Sequence, residues 1–128
     1  MIPQASDPID FSGGKAGRFV VLRHECGPAN GGAGASPWDL MVEIPGQEKL
    51  VSWQVRTPPE FWSARIAAKR IQDHRRQYLT YEGVISGDRG SVKRVEEGTA
   101  HVLGGMEIGP PWVLRLEGKT LSGEYVVG

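Results

Sequence analysis

Short apolar runs with a two-residue period, separated by turn-forming residues, are the feature that most limits how this chain can fold. The 128 residues include 18 Gly and 9 Pro, so turns are frequent and regular elements are short. In the segment 38–44, apolar side chains occupy every second position, which is the period of a strand with one buried face. The segment 51–55 repeats the pattern after a turn at 45–49. Together these segments predict a hairpin that spans residues 38–55.

The residues beyond Gly83 continue in the same way. They predict a turn at 86–90, alternation through Val92 and Val95, a turn at Glu97 and Gly98, and a last alternating segment at 112–117. Such spacing is typical of a mainly β domain, and we expect a small closed β-barrel with one or two short flanking helices. The segment 60–72 fits both a helical face and a strand face, so the pattern leaves its structure open.

The length of the chain indicates a single domain, because 128 residues can bury one core but not two. We expect a flexible N-terminal tail at residues 1–17 and one domain at residues 18–128. The stretch 27–36 is rich in small residues and turn formers, so we expect it to be mobile as well.

Charge and cysteine content limit the classes of partner. Lys plus Arg and Asp plus Glu both number 15, so any contact with nucleic acid is local rather than driven by the charge of the whole molecule. Cys26 has no intramolecular disulfide partner, and the sequence shows neither a secretion signal nor an apolar run of membrane-spanning length. We therefore expect a cytoplasmic monomer that does not bind membranes.

Two polar residues on strand-like segments suggest a metal site. His24 follows the apolar run 18–23, and Asp39 lies on the polar side of the segment 38–44. Imidazole and carboxylate together suit manganese, zinc or iron, although a site needs a third ligand. Taken alone, each residue is more often a polar residue at a strand end. Cys26 shares a strand face with His24, but a lone cysteine is more often a small, partly buried thiol.

A second polar group surrounds His74. It lies next to Asp73 and near Tyr78, and an imidazole with a phenol can bind phosphate or transfer protons. The alternative is that His74 is a surface histidine in a solvated basic face. His101 is more typical of a structural residue. Two basic clusters of the kind that contacts phosphates are Lys69, Arg70, Arg75 and Arg76, and then Arg89, Lys93 and Arg94.

Five segments, taken in order, resemble the 3′-phosphoesterase domain of DNA ligase D, also called the DNA polymerase ligase domain, in its short free-standing form. RFVVLRHEC resembles the first strand of the family with its histidine. PWDLMVE resembles the family's His-aromatic-Asp strand, and LVSWQV resembles its LxSWAV strand. DHRRQYLTYEGVISGDRGSV is similar to the DHxxxYxxxEGxIxxGxxGxG segment, and WVLRLEGKTLSGEYVV to the closing strands. The resemblance extends over residues 18–127, and several motifs in one order are more specific than any single motif.

The resemblance implies a compact β-barrel that binds one Mn²⁺, or another divalent metal such as Zn²⁺, and removes 3′-terminal phosphates or ribonucleotides during DNA repair by non-homologous end joining. It implies that His24 and Asp39 bind the metal and that His74 and Tyr78 act on the phosphate. The expected partners are DNA or RNA–DNA 3′ ends, with ligase or polymerase proteins as separate chains. The expected phosphate-binding residues are Arg70, Arg75 and Arg76.

Two positions depart from the family pattern. Pro37 stands where the family has a second metal-binding histidine, and Met41 stands where ligase D proteins have a phosphate-binding arginine. Losing such a contact commonly lowers the rate by roughly 10²-fold or more. Water is one possible replacement ligand, and the candidate replacement residues are Glu25, Cys26, Asn30, Ser36 and His101.

Three functions are compatible with these residues. The first is a metal-dependent 3′-phosphoesterase, which we expect. The second is a weakened relative that holds nucleic-acid ends without turnover. The third is a β-barrel that binds an unrelated ligand or a protein partner, since a fold does not determine a function.

Overall fold

The computed structural model describes residues 16–30, 37–105 and 111–128, and these residues are mainly in strands. The helical elements of this part of the chain are three 3₁₀ helices at Pro28–Asn30, Pro59–Phe61 and Arg76–Leu79. The strands are β1 (Gly17–Glu25), β2 (Trp38–Glu43), β3 (Lys49–Val55), β4 (Arg65–Ile66), β5 (Lys69–Arg75), β6 (Gly83–Val84), β7 (Ser91–Gly104), β8 (Trp112–Gly118) and β9 (Ser122–Val127).

The strands form one 9-stranded sheet that is strongly curled into a half-barrel. Its order is β4-β9-β8-β7-β1-β2-β3-β5, and β6 pairs with β7 outside this path. The ladders are antiparallel except that between β4 and β9. The two ends of the order, β4 and β5, follow each other in the chain with only Ala67 and Ala68 between them. The expectation of a mainly β, barrel-like fold is confirmed. The sheet is a half-barrel rather than the expected closed barrel, and the short helical elements beside it are the three 3₁₀ helices.

The sheet buries apolar side chains on both faces. The larger cluster includes Phe19, Leu40, Trp53 and Trp112. Because successive strand residues point to opposite faces, β1 and β2 contribute alternately to the two clusters. The second face lies beneath the 3₁₀ helix Arg76–Leu79 and carries the polar residues of the candidate site. The smaller cluster on that face consists of Val20, Leu22, Met41, Leu50, Leu79 and Val92.

The predicted hairpin at residues 38–55 is confirmed. β2 pairs with β3 from Trp38 opposite Val55 to Glu43 opposite Leu50. The turn between the strands contains Gly46 at a φ of 91°, with no atom near the position of a Cβ. This conformation favours glycine and lets the chain reverse tightly.

The predicted turn at Glu97 and Gly98 is wrong, because β7 runs through both residues without interruption. A register shift in the ladder with β1 leaves Val95 without a partner, and this valine is 43% exposed. Gly98 is required by close packing instead: a Cβ there would lie 1.9 Å from the carbonyl oxygen of Glu117 on β8. A glycine that permits strands to approach was therefore mistaken for one that permits a turn.

The segment 60–72, which the pattern left open, contains the end of a 3₁₀ helix, β4 and the start of β5. Ile66 is 2% exposed, whereas its neighbours Arg65 and Ala67 are exposed. This alternation is that of a strand, so the strand interpretation is the correct one.

The regions predicted to be flexible lie largely outside the described residues, which begin at residue 16 and omit residues 31–36. Within the stretch 27–36, the Ala29 N–H donates to the Asp88 carbonyl over 2.9 Å. In the described ranges, no helix is long and apolar enough to span a bilayer.

Candidate functional site

The site is built where the end of β1 meets the loop 85–90 and the end of β5. His24 follows Leu22 by two positions on β1, so both side chains share the face of the smaller cluster. Leu22 lies opposite Asp39 in the ladder with β2. The curled sheet therefore brings His24 and Asp39 together, which sequence spacing alone does not show.

The His24 imidazole lies between a carboxylate and a backbone carbonyl. Its Nδ1 is 3.6 Å from Oδ2 of Asp39, and its Nε2 is 2.8 Å from the carbonyl oxygen of Arg89. Metal-binding histidines commonly donate the second ring N–H to a carbonyl in this way, which sets the tautomer. With Nε2–H donating to Arg89, Nδ1 on the Asp39 side becomes the nitrogen for a metal.

Asp39 is a buried carboxylate with an unsatisfied oxygen. The residue is 3% exposed, and within the described chain its Oδ1 has no hydrogen-bond partner. Burial raises the pKa of Asp39 to about 6, and the positive charge of His24 opposes that rise. A buried, incompletely paired carboxylate destabilises a fold unless a cation or donor meets it. The orphan Oδ1, on the same carboxylate whose Oδ2 lies beside the His24 Nδ1, fits a divalent cation.

The described residues supply only two good donors to such a cation. Among them, no group of three or more His, Cys, Asp and Glu side chains could hold a metal ion. Cys26 is partly buried, and burial together with the charge of Asp39 raises the pKa of its thiol. Because a thiol must ionise to bind metal, Cys26 is a poor third ligand.

His74 is held by a hydrogen-bond relay from β3. Its Nδ1 is 2.9 Å from the Ser52 hydroxyl, and that hydroxyl donates to the Leu50 carbonyl over 3.0 Å. Since the Ser52 proton is used by Leu50, Ser52 accepts the Nδ1–H of His74. The neutral ring then has an unprotonated Nε2.

The environment of His74 favours the neutral ring. Burial lowers its pKa below the ordinary value, and the charges of His24 and Arg89 act in the same direction. The neighbouring carboxylate of Asp73 and the carbonyl of Gln72 oppose this change. The effect of the His24 charge on the His74 pKa reflects the closeness of the two rings, although 50 positions separate them in the sequence.

His74 and Tyr78 line one open cleft of about 520 Å³. The ring centroids of His74 and Tyr78 are 5.6 Å apart with an interplanar angle of 84°, and Tyr81 packs edge-on against Tyr78 at 6.0 Å. The Tyr81 hydroxyl donates to the Val84 carbonyl. The lining residues are Lys49, Gln72, Asp73, His74, Arg75, Gln77, Tyr78, Tyr81, Val84, Ile85, Ser86 and Arg89.

The cleft carries a local excess of positive charge in a chain whose net charge is zero. Three of its lining residues are the cations Lys49, Arg75 and Arg89, and the one lining carboxylate is Asp73. With His74 neutral, the cleft attracts anions of the size of a phosphate.

Two of the predicted phosphate-binding arginines do not line this cleft. The Arg70 guanidinium lies over the rings of Trp53 and Trp112, 5.6 and 5.3 Å from their centroids, and bonds Asp73 at 3.0 Å. Arg76 forms an ion pair with Glu43. Of the three predicted arginines, only Arg75 faces the cleft.

The departures from the family pattern lie at the site itself. The Pro37 carbonyl accepts the backbone N–H of His24 at 2.9 Å, and Met41 is 1% exposed within the smaller cluster. His101 cannot replace Pro37 as a ligand, because Val92 lies opposite His24 and Ala100 opposite Gly17 at the other end of β1. Nine strand residues correspond to roughly 30 Å.

None of the other candidate replacement residues is shown to be a third ligand to the metal. Glu25 alternates with His24 on β1 and is exposed, so its side chain points away from the site. Asn30 ends the 3₁₀ helix Pro28–Asn30. Ser36 lies outside the described residues.

Sequence reasoning missed Ser52, Lys49 and Tyr81 as members of the site. Ser52 is fully buried inside an apolar strand, and a small polar residue there was a signal of a buried hydrogen bond. Lys49 and Tyr81 carry no local signal, because only the pairing of β3 with β5 and the turn after Tyr78 bring them to the cleft.

Comparison with known proteins does not identify the chain: no family model and no curated protein matches it.

Proposed function

We propose that this protein is a metal-dependent phosphoesterase-like domain that acts on the 3′ ends of nucleic acids carrying a 3′-phosphate or a 3′-ribonucleotide. The observation that supports this most is that His74 lines the same cleft as Lys49, Arg75 and Arg89. Such a cleft neutralises a terminal phosphate and presents an unprotonated ring nitrogen to it. The resemblance to the ligase D phosphoesterase family points to the same chemistry.

The residues of the cleft have separate roles in this proposal. On a 3′-phosphate, water attacks the phosphorus while the bond from phosphorus to the 3′ oxygen breaks. Nε2 of His74 takes the proton of the attacking water, and the leaving 3′ oxygen takes a proton from solvent to become the 3′ hydroxyl. Arg75 and Arg89 neutralise the charge that develops on the phosphoryl oxygens. Tyr78 donates a hydrogen bond to one of these oxygens.

His24 and Asp39 are the residues that would hold a divalent metal, either Mn²⁺ or Zn²⁺. When bound there, the metal supplies positive charge that polarises the phosphoryl group. Because the described chain offers two good donors, a metal would bind weakly there and water would supply the other ligands. Mn²⁺ should raise the melting temperature of the parent protein, and Asp39→Asn should remove that rise.

The activity test uses a DNA primer-template that ends in a 3′-phosphate or a single 3′-ribonucleotide, with Mn²⁺ or with EDTA. We expect Mn²⁺-dependent release of the terminal group and a loss of roughly 10²-fold or more in His24→Ala and His74→Ala. His101→Ala is the matched control, since His101 lies at the far end of β1. Equal rates in all three variants would eliminate the proposal.

A second function is favoured by the residues around the candidate metal site. The positions next to His24 and Asp39 are apolar at Pro37 and Met41, and the described residues contain no three-donor metal group. These features suit a weakened relative that holds nucleic-acid 3′ ends, or a partner, without turnover. Salt-sensitive binding of the same primer-template with no product would select this alternative.

A further inference from the structure

A second groove lies further along β3 on the face that carries the cleft. Ser52 points toward His74, so Gln54, two positions on, faces the same way. Arg56 follows directly after β3, and Lys69 on β5 lies opposite Gln54. A groove of about 310 Å³ is lined by Gln54, Arg56, Thr57, Ala67, Ala68 and Lys69.

The corner between β4 and β5 makes this groove possible. Ala67 and Ala68 form the short connection between the two strands, and their small side chains leave space between the longer side chains of Arg56 and Lys69. The groove is therefore lined by the long cationic side chains of Arg56 and Lys69 and by the amide of Gln54.

Positive charge is concentrated along the pair of strands that joins the cleft to the groove. The segment 49–75 contains six cations and only two carboxylates, Glu60 and Asp73. Arg70 forms an ion pair with Asp73. Within the described ranges, no ion pair involves Arg56 or Lys69. Two cations beside a groove, without an ion-pair partner in the described part of the chain, suit contact with a phosphodiester backbone.

We infer that the groove formed by Gln54, Arg56 and Lys69 binds the backbone of the same single strand whose 3′ end occupies the cleft. This inference rests on the proposed function, since it takes the cleft as the site of the 3′ end. Ser52 and Arg56 are about 13 Å apart along an extended strand. A nucleic-acid strand stacked as in a duplex rises about 3.4 Å per nucleotide, so the groove meets the backbone about four nucleotides from the end.

The test measures binding rather than turnover. Fluorescence anisotropy with labelled oligo-dT carrying a 3′-phosphate compares a two-nucleotide with a six-nucleotide probe. We expect the parent protein to bind the longer probe about tenfold more tightly. The double variant Arg56→Ala/Lys69→Ala should lose that preference, and its salt slope should fall by about 1.4, which corresponds to two lost phosphate contacts on a single strand.

Two further variants separate the groove from the cleft. Arg75→Ala should weaken both probes by the same factor, because it acts at the 3′ end. Lys119→Ala removes an exposed cation from the turn between β8 and β9 and should leave both affinities unchanged. An unaltered length preference in the double variant overturns the groove while leaving the proposed function intact. Absence of oligonucleotide binding by the parent overturns both.

Discussion

His74 shows how a single hydrogen bond can determine what a residue does. The ring has two nitrogens, and the Ser52 hydroxyl accepts from Nδ1 because its own proton goes to Leu50. Without this relay, either nitrogen could carry the proton. The relay therefore assigns Nε2 as the base that the cleft needs.

Replacing Ser52 tests this assignment. Histidine ¹⁵N NMR of the parent should show His74 as the Nδ1–H tautomer with a pKa below the ordinary value of about 6.5, because burial disfavours the charged ring. In Ser52→Ala, the Nδ1–H preference should disappear, because its acceptor is removed.

Ser63→Ala, at an exposed serine, is the control for the Ser52 experiment. It should leave the His74 spectrum unchanged. A parent protein in which His74 is already the Nε2–H tautomer would contradict the relay.

At the scale of elements, the curled sheet depends on glycines that let strands approach. Gly98 lies opposite Gly118 in the ladder between β7 and β8. A Cβ on Gly98 would meet the Glu117 carbonyl oxygen, and a Cβ on Gly118 would lie 2.8 Å from the Phe19 ring. Both positions therefore lack room for any side chain.

Gly98→Ala should lower the free energy of unfolding by about 2–3 kcal/mol, because the ladder must shift to admit the methyl group. Urea denaturation measures the change. Gly46→Ala is the comparison, since Gly46 has a φ of 91° but open space around it, and it should lose only about 1 kcal/mol. Equal losses in both variants would show that the close approach at Gly98 is unimportant.

β5 carries two arginines with different surroundings, one near each end of the strand. Arg70 packs over Trp53 and Trp112, whereas Arg75 lines the cleft. Arg70→Ala should reduce stability by about 1–2 kcal/mol, through the lost ring contacts, and leave binding of a 3′-phosphate oligonucleotide unchanged.

Arg75→Ala should weaken binding of the 3′-phosphate oligonucleotide and leave the stability of the protein unchanged, which is the reverse of the effects of Arg70→Ala. Thermal unfolding and fluorescence anisotropy on the same two variants distinguish the roles. Weaker oligonucleotide binding by Arg70→Ala at unchanged stability would restore Arg70 as a phosphate-binding residue.

The stability of the whole molecule should depend on acid through Glu96. This carboxylate is 2% exposed and accepts hydrogen bonds from the backbone N–H groups of Glu97, Lys119, Thr120 and Leu121 and from the Thr120 hydroxyl. Although burial acts to raise its pKa, these bonds hold the pKa of Glu96 below its ordinary value. Glu96 thereby anchors the turn between β8 and β9 on β7.

A lowered carboxyl pKa in the folded state gives stability that is present above the ordinary pKa and is lost as pH falls through the folded value. The free energy of unfolding should therefore decline below about pH 4.5. Glu96→Gln should be less stable by about 2 kcal/mol at pH 7 and should show a weaker decline in acid.

Urea titrations at several pH values measure the acid effect as the difference in free energy of unfolding between the parent and Glu96→Gln. The difference is needed because Asp39, whose pKa is raised, contributes with the opposite sign near pH 6. Glu117→Gln, at an exposed carboxylate on β8, is the control. Parallel pH curves for the parent and Glu96→Gln would contradict the role of Glu96.

The sequence by itself determined the fold class, the hairpin at 38–55 and the residues on which a site could be built. Strand period and turn residues are local properties, and His24, Asp39, His74 and Tyr78 stood out by residue type and by motif order. The sequence did not determine that β7 continues through Gly98. A glycine in a turn and a glycine at a close contact between strands cannot be distinguished from the sequence alone.

Only the tertiary structure decided which polar residues meet. The curl of the sheet and the register of β1, β2, β3 and β5 bring His24 to Asp39 and Ser52 to His74, and they carry His101 to the other end of β1. The same register turns Arg70 onto two tryptophans and Arg75 into the cleft. Contacts between distant segments depend on pairing and on the face each residue occupies, which neither composition nor local spacing records.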